Sequence, residues 1–314
     1  MSDSFIHAAA GGAGGVVAMS LTYPLIFLST RAAVESKKTN KTTYEAVLDI
    51  HNSEGVTGLY SGLSSSLLGI AVTNFVYYGF YEKSKDVILR SRPGKGLSAA
   101  ESIVAGLIAG SATTVLSNPI WVVQAVQATR GIEQDPSIAG SSKATPKKKL
   151  GFVESIQHIL RTGGPAAFWR GLGPALVLVI NPIIQYTVFE QLKNRLLMRR
   201  TAKLRAAGSA AAAALTDSDF FYLGALSKLV ATGSTYPYIV VKSRMQAGSS
   251  HAKNYTSSWD GLLTIIRNEG VAGLYKGIES KLVQSVLTAA ILFLGQKRIY
   301  EILRAALTHT PVAA

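Results

Sequence analysis

Five basic residues of this chain stand in or beside long apolar stretches, where a charge is expensive. Lys228 lies in "GALSKLVATG", Lys281 in "ESKLVQSVL", Arg31 closes "LIFLSTR", and Lys242 and Arg244 end "TYPYIVVKSRMQ". A lysine or arginine at the centre of a membrane helix costs at least about 2.5 to 3.5 kcal/mol, so a retained one faces a wet passage or a partner. The chemistry such residues do is recognition of anions. Arginine grips phosphate oxygens with two parallel N–H groups and lysine acts as a point charge. The competing reading is that each side chain snorkels to lipid headgroups. Lys228 resists that reading best, because no acid lies within a helical turn of it. Glu279 is close to Lys281 in sequence, but two residues apart on a helix point to different faces. Asn74 and Asn181 are further polar residues within apolar segments. Each either meets a solute or satisfies a hydrogen bond between helices.

Covalent chemistry finds little support. His7, His51, His158, His251 and His309 are scattered without ligand spacing, and there are no cysteines. The glycine-rich runs follow no strand pattern and no GxxxxGK[ST] phosphate loop occurs, so the reading is of a protein that is not an enzyme, with no cofactor and no metal.

The composition says where these cations sit. Of 314 residues, 48% are hydrophobic and only 16% charged, which is too apolar for an ordinary soluble domain. The net charge of +14 suits an anionic partner, lipid or solute. The opening "MSDSFIHAAAGG" has neither the basic start of a secretory signal nor the pattern of a transit peptide, so targeting is expected to be internal.

A threefold repeat organises the chain. Pro24 in "TYPLIFLSTR", Pro119 in "SNPIWVVQAV" and Pro237 in "TYPYIVVKSR" align, and each is followed by "EGVTGLYSG", "GGPAAFWRG" or "EGVAGLYKG". The middle interval is longer by about a dozen residues, which fall in the polar stretch 130–150. The divisions expected are repeat one over 1–95, repeat two over 96–200, a basic, Ala-rich linker over 201–216, and repeat three over 217–314. Each repeat holds two apolar segments near the roughly 20 residues that cross a bilayer. They run from about Phe5 to Thr30, Leu63 to Tyr81, Ser102 to Thr129, Leu172 to Phe189, Phe220 to Val241 and Leu282 to Gly295. Between the members of each pair lies a short amphipathic stretch, "YEAVLDIHN", "FVESIQHIL" or "WDGLLTIIR", expected to lie in the interface. A proline inside a helix removes a hydrogen bond and kinks it, so Pro24, Pro119 and Pro237 predict three equivalent kinks that pinch a central cavity at one end.

The proline followed by cations, then an acid and glycine, then an aromatic, a cation and glycine, three times over, resembles the mitochondrial carrier family of solute transporters. The stretches "NFVYYGFYEKSK", "NPIWVV", "INPIIQYTVFEQLK", "GALSKLVATGSTYP" and "GLYKGIESKLVQSVLTAAILFLGQKRIYE" resemble its peroxisomal adenine-nucleotide branch. The resemblance implies an all-α membrane protein of six transmembrane helices in three pseudo-threefold repeats with short interfacial helices. It implies exchange of ATP against AMP or ADP by alternating access, in the peroxisomal membrane or alternatively the mitochondrial inner membrane. Implied partners are the nucleotides ATP, ADP and AMP, membrane lipids and the peroxisomal membrane-protein import receptor, with no nucleic acid. Two other readings stand beside it. One keeps the fold and carries coenzyme A, NAD or FAD; the other is a non-transporting adaptor that recruits partners through Lys147 to Lys149 and Arg195 to Arg205.

In the family, an acid two residues after each proline pairs with a cation of the next repeat to close an inner gate. Here Ile26, Trp121 and Ile239 hold the acid positions, and Ser29, Gln124 and Lys242 the cation positions. Either the gate closes by apolar packing with Trp121 as a plug, or this end closes weakly and the cations serve the substrate. The outer-gate pattern of aromatic, acid and cation is carried by Glu82 with Lys85 and by Glu190 with Lys193. In repeat three it falls on Gly295 and Gln296 by spacing, or on Tyr300, Glu301 and Arg304 a turn later. Family contact points carry over to Gly69 and Ile70, Val177 and Leu178, and Gln284. The resemblance therefore expects substrate at these residues together with Lys228, Lys281, Asn74, Asn181, Arg31 and Arg244.

Overall fold

A computed structural model describes residues 3–35, 43–90, 96–129, 150–207, 214–249, 252 and 255–291. The expected insertion over 130–149 and the third outer-gate set, Gly295, Gln296, Tyr300, Glu301 and Arg304, lie outside the described residues, as does 208–213 of the linker.

The described residues are helical, with no strand among them. In chain order the helices are α1 (Asp3–Val34), α2 (Thr43–Glu54), α3 (Leu63–Arg90), α4 (Ala99–Thr129), α5 (Phe152–Gly163), α6 (Leu172–Val177), α7 (Asn181–Ala206), α8 (Asp217–Ala247) and α9 (Ser258–Glu269). The last, α10, is described over 278–291. Among the described residues, four stretches are long and apolar enough to cross a membrane: Gly15–Val34, Val56–Arg90, Ala99–Thr129 and Pro165–Ala206. At 31 residues α8 also has the length, about 46 Å at 1.5 Å per residue, but Lys228, Lys242 and Arg244 make it more polar.

Local sequence explains where these helices begin. Ser98 and Glu101 reciprocally cap α4, with the Ser98 N–H donating to Glu101 Oε2 at 2.9 Å and the Glu101 N–H to Ser98 Oγ at 3.3 Å. Thr216 and Asp219 repeat the arrangement at α8, and Ser257 caps α9 by accepting from the Asp260 N–H. The amphipathic α2, α5 and α9 occupy the expected connecting positions. A short 3₁₀ turn follows each, at Val56–Tyr60, Pro165–Trp169 and Val271–Tyr275.

Each of those turns is bracketed by two glycines with positive φ: Gly55 and Gly62, Gly164 and Gly171, Gly270 and Gly277. Their φ values, 66° to 89°, are a region other residues enter only at a cost. Gly277 has a second reason to be glycine. A Cβ there would stand 2.7 Å from the Ser29 carbonyl oxygen of α1. At Gly171 it would stand 3.0 Å from the Lys242 carbonyl oxygen of α8. At these two positions the glycine lets the start of an even span press against the end of an odd one.

The three prolines sit inside helices that continue through them. The residue before two of them performs a common task. The Tyr236 hydroxyl donates to the Lys276 carbonyl at 2.9 Å, and Asn118 Nδ2 to the Arg170 carbonyl at 3.2 Å. Lys276 and Arg170 are the cations immediately before Gly277 and Gly171, so a buried side chain at the proline pins the start of the following span.

The fourth span is not one helix. Between α6 and α7 the backbone tightens into a 3₁₀ turn over Leu178–Ile180. Pro182 supplies the cause, because it has no N–H to give the Leu178 carbonyl.

The described residues divide into two compact units. The first comprises the chain up to Tyr23, Asn181–Ser234 and the chain from Lys281 onward; the second comprises Pro24–Ile180 and Thr235–Ser280. The second is built on two apolar cores. One joins Ala33, Tyr236, Val240, Val241 and Leu262 with Ile265 and Leu274, and the other joins Val122, Val123 and Val126 with Ile159 and Ala167.

Candidate substrate-binding site

Four of the expected contact residues, Lys228, Lys281, Gln284 and Asn181, fall in the first unit. Lys228 is half-buried on α8 and makes no ion pair or hydrogen bond among the described residues. Its neighbours Ser227 and Ala231 are fully buried. Asn181 donates from Nδ2 to the Ala231 carbonyl at 3.1 Å, tying the start of α7 to α8 one turn beyond Lys228. This is the interhelical bond that stood as its alternative role. Lys281 is half-buried in the first turn of α10.

Gln284, one turn further along α10, is 8% exposed. Its Nε2 donates to Thr288 Oγ1 at 2.9 Å, and Thr288 Oγ1 lies 3.1 Å from Thr22 Oγ1 on α1. The Gln284 Oε1 is shut off from solvent and has no hydrogen-bond partner among the described residues. Thr22 and Thr288 were not among the expected site residues. Nothing local marks them, because the pair is made by opposite ends of the chain.

In the second unit the three inner-gate acid positions behave differently from one another. Ile26 and Ile239 are half-buried, with the Ile26 carbonyl accepting from the hydroxyls of Ser29 at 2.9 Å and Thr30 at 2.8 Å. Trp121 donates from Nε1 to Thr73 Oγ1 on α3 at 3.2 Å. A Cβ built on Gly69 would lie 3.2 to 3.4 Å from three successive atoms of the Trp121 six-membered ring. Near-equal distances to adjacent ring atoms mean that the face of the indole, rather than its edge, covers Gly69. Gly69 is buried beneath Trp121, and Ile70 beside it is half-buried. Asn74, a turn later, is exposed. Val177 is exposed and Leu178 half-buried, and both stand at the 3₁₀ interruption of the fourth span.

Arg244 departs furthest from its expected role. It is 1% exposed, donates from Nε to the Ala33 carbonyl at 2.9 Å, and forms a two-pronged ion pair with Glu269, Nη2 to Oε2 being 2.9 Å. Lys276 reaches the same carboxylate at 2.8 Å and the Glu35 carbonyl at 2.9 Å. Burial alone would raise the Glu269 carboxyl, but Arg244 and Lys276 together hold it below its ordinary value. The Arg244 charge is therefore compensated inside the protein, and its task is to join α8, α9 and the end of α1. Arg31 is half-buried with its guanidinium 5.1 Å from the centre of the Phe27 ring. Lys242 is half-buried in α8. A buried amide bridge lies nearby, with Gln246 Nε2 donating to Asn118 Oδ1 at 3.0 Å.

The outer-gate residues pair within their own helices. Lys85 meets Glu82 at 3.0 Å, and Lys193 meets Glu190 at 2.6 Å while lying 5.9 Å from the Phe189 ring centre. Such pairs contribute only a few tenths of a kcal/mol, so these groups change partners cheaply.

A profile for the family described as mitochondrial carrier protein matches residues 2–92, 95–200 and 218–309. The three matched segments agree with a repeat that recurs three times. The peroxisomal nicotinamide adenine dinucleotide carrier of Arabidopsis thaliana is 35% identical over 95% of this chain and 96% of its own length. Peroxisomal membrane protein PMP34 of Mus musculus is 32% identical over 97% of this chain and 94% of its own length. Peroxisomal adenine nucleotide carrier 1 of Glycine max is 28% identical over 95% and 91% respectively.

Proposed function

This chain belongs to the mitochondrial carrier family, and on that footing we propose that it exchanges adenine nucleotides, ATP against AMP or ADP, across the peroxisomal membrane by alternating access. The observation that carries the proposal is Lys228, a half-buried cation in a span with no protein partner among the described residues. Leaving it so costs free energy that a polyanion recovers on binding. Lys281 is the second anion contact, and Lys242 and Arg31 meet phosphates on their way through. Arg244 is left out of this set, since Glu269 already neutralises it.

Binding drives the cycle because the nucleotide holds the occluded form more tightly than either open form. The pairs Glu82 with Lys85 and Glu190 with Lys193 give up their local bonds when the outer side closes. The inner side closes without the usual ion pairs, by packing that includes Trp121 on Gly69. The Leu178–Ile180 3₁₀ turn stands beside Val177 in the fourth span. Peroxisomal residence is supported by the names of the relatives, and the basic stretch Arg195 to Arg205 is the part of the chain offered to an import receptor. Arg200 is excepted, because it grips Asp219 with two bonds of 2.6 Å.

NAD is the second reading of the cargo, favoured by the 35% identity with a protein named for carrying it. Counter-exchange in liposomes separates the two. Internal ATP released by external AMP but not by NAD supports the first reading; release of internal NAD with no release of ATP overturns it.

A further inference from the structure

Counting hydrogens along the Thr22, Thr288 and Gln284 chain settles which end of the Gln284 amide is spare. A hydroxyl has one hydrogen to donate. Thr22 spends its own on the Ala18 carbonyl, at 2.8 Å. Toward Thr288, at 3.1 Å, Thr22 Oγ1 can therefore only accept, so the Thr288 hydroxyl donates to it. With its hydrogen committed, Thr288 Oγ1 can only accept from Gln284, at 2.9 Å. The group facing Thr288 must then be the amide NH₂, which fixes an orientation that side-chain shape alone leaves ambiguous. Three donations run in one direction, from α10 to α1, and end on a backbone carbonyl. The amide oxygen is left over, buried and without a partner among the described residues.

We propose that this donor relay holds Gln284 as a reader of an exocyclic amine on the nucleotide base, with Thr288 and Thr22 as its positioning residues. The proposal rests on the nucleotide exchange set out above and deepens it. Gln284 Oε1 is an acceptor and repels phosphate, so it is separated in role from Lys228 and Lys281. An amide oxygen beside an amide N–H matches the adenine edge, where an amine hydrogen sits next to a ring nitrogen that accepts. Gln284 retains one Nε2 hydrogen for that nitrogen after serving Thr288. A base with a keto oxygen in place of the amine sets two acceptors against each other, and the buried Oε1 stays unpaired. Oε1 is closed to solvent in this conformation, so the base reaches it during the change of access.

The test uses full-length protein in liposomes and compares each nucleotide with its deaminated analogue, ATP with ITP and NAD with nicotinamide hypoxanthine dinucleotide. Wild type is expected to prefer the amine-bearing partner by about tenfold in KM. Gln284→Leu and Thr288→Val bring the ratio close to one, the second because the freed amide turns over. Thr288→Ser keeps the hydroxyl and the preference. Equal exchange of ATP and ITP by wild type, or a preference that survives both Gln284→Leu and Thr288→Val, overturns the assignment and leaves the transport reading standing. Failure of wild type to exchange any nucleotide overturns both.

Discussion

Two charged residues of one helix, Lys228 and Arg244, have opposite circumstances, and the difference decides what their removal does. Arg244 is buried against a carboxylate and a carbonyl, whereas Lys228 has no partner among the described residues. Replacing Lys228 with methionine is expected to raise the thermal midpoint of the empty protein, since an uncompensated charge disappears. The same change should lower nucleotide exchange by about ten- to a hundredfold, the worth of one charge-assisted hydrogen bond. A fluorescence-monitored melt of the empty protein reads the first effect, and nucleotide exchange in liposomes reads the second. Glu269→Ala is expected to do the reverse, destabilising the protein by about 3 kcal/mol because Arg244 is left buried and unpaired. The acid dependence follows from the lowered carboxyl of Glu269. Its stabilisation is complete above the unfolded value of 4.5 and disappears as the pH falls through the lower folded value. Melts between about pH 6 and 3 should therefore lose a pH-dependent component in Glu269→Ala, and an unchanged slope contradicts the pairing.

At the scale of elements, the interruption of the fourth span at Leu178 makes its own prediction. Pro182→Ala restores an N–H to the Leu178 carbonyl, so helix should run unbroken from α6 into α7. Higher thermal stability with slower exchange is the expected pair of results; faster exchange contradicts a role for the open backbone. This interruption was not legible in the sequence, where "LVIN" continues an apolar run and the proline resembles the three tolerated ones. Other elements were legible because they depend on residue types that do one job. Glycines with positive φ and capping Ser, Thr and Asp residues locate turns and helix starts without help from distant chain. The roles of Gly69, Arg244 and Gln284 were read less well, since each depends on a partner far along the chain: Trp121, Glu269 and Thr22 through Thr288. The pattern of residues before the prolines, Tyr236 and Asn118, was present in the aligned motifs. It becomes meaningful only when the carbonyls it meets are known.

For the whole molecule, the threefold repeat with its two apolar segments per unit explains the family match over nearly the entire length. Exchange of nucleotides that differ by one charge should respond to membrane potential, by about fiftyfold per 100 mV at equilibrium. A potassium diffusion potential imposed on liposomes checks this, and an exchange indifferent to potential contradicts ATP against ADP without a compensating ion. The central claim is that a cation held in the membrane with no partner among the described residues serves a nucleotide. Its most direct measurement is counter-exchange of radiolabelled ATP by purified wild type, Lys228→Ala and Lys228→Arg in liposomes. The account predicts rapid exchange by wild type, partial exchange by the arginine variant and little by the alanine variant. Equal rates in all three contradict it.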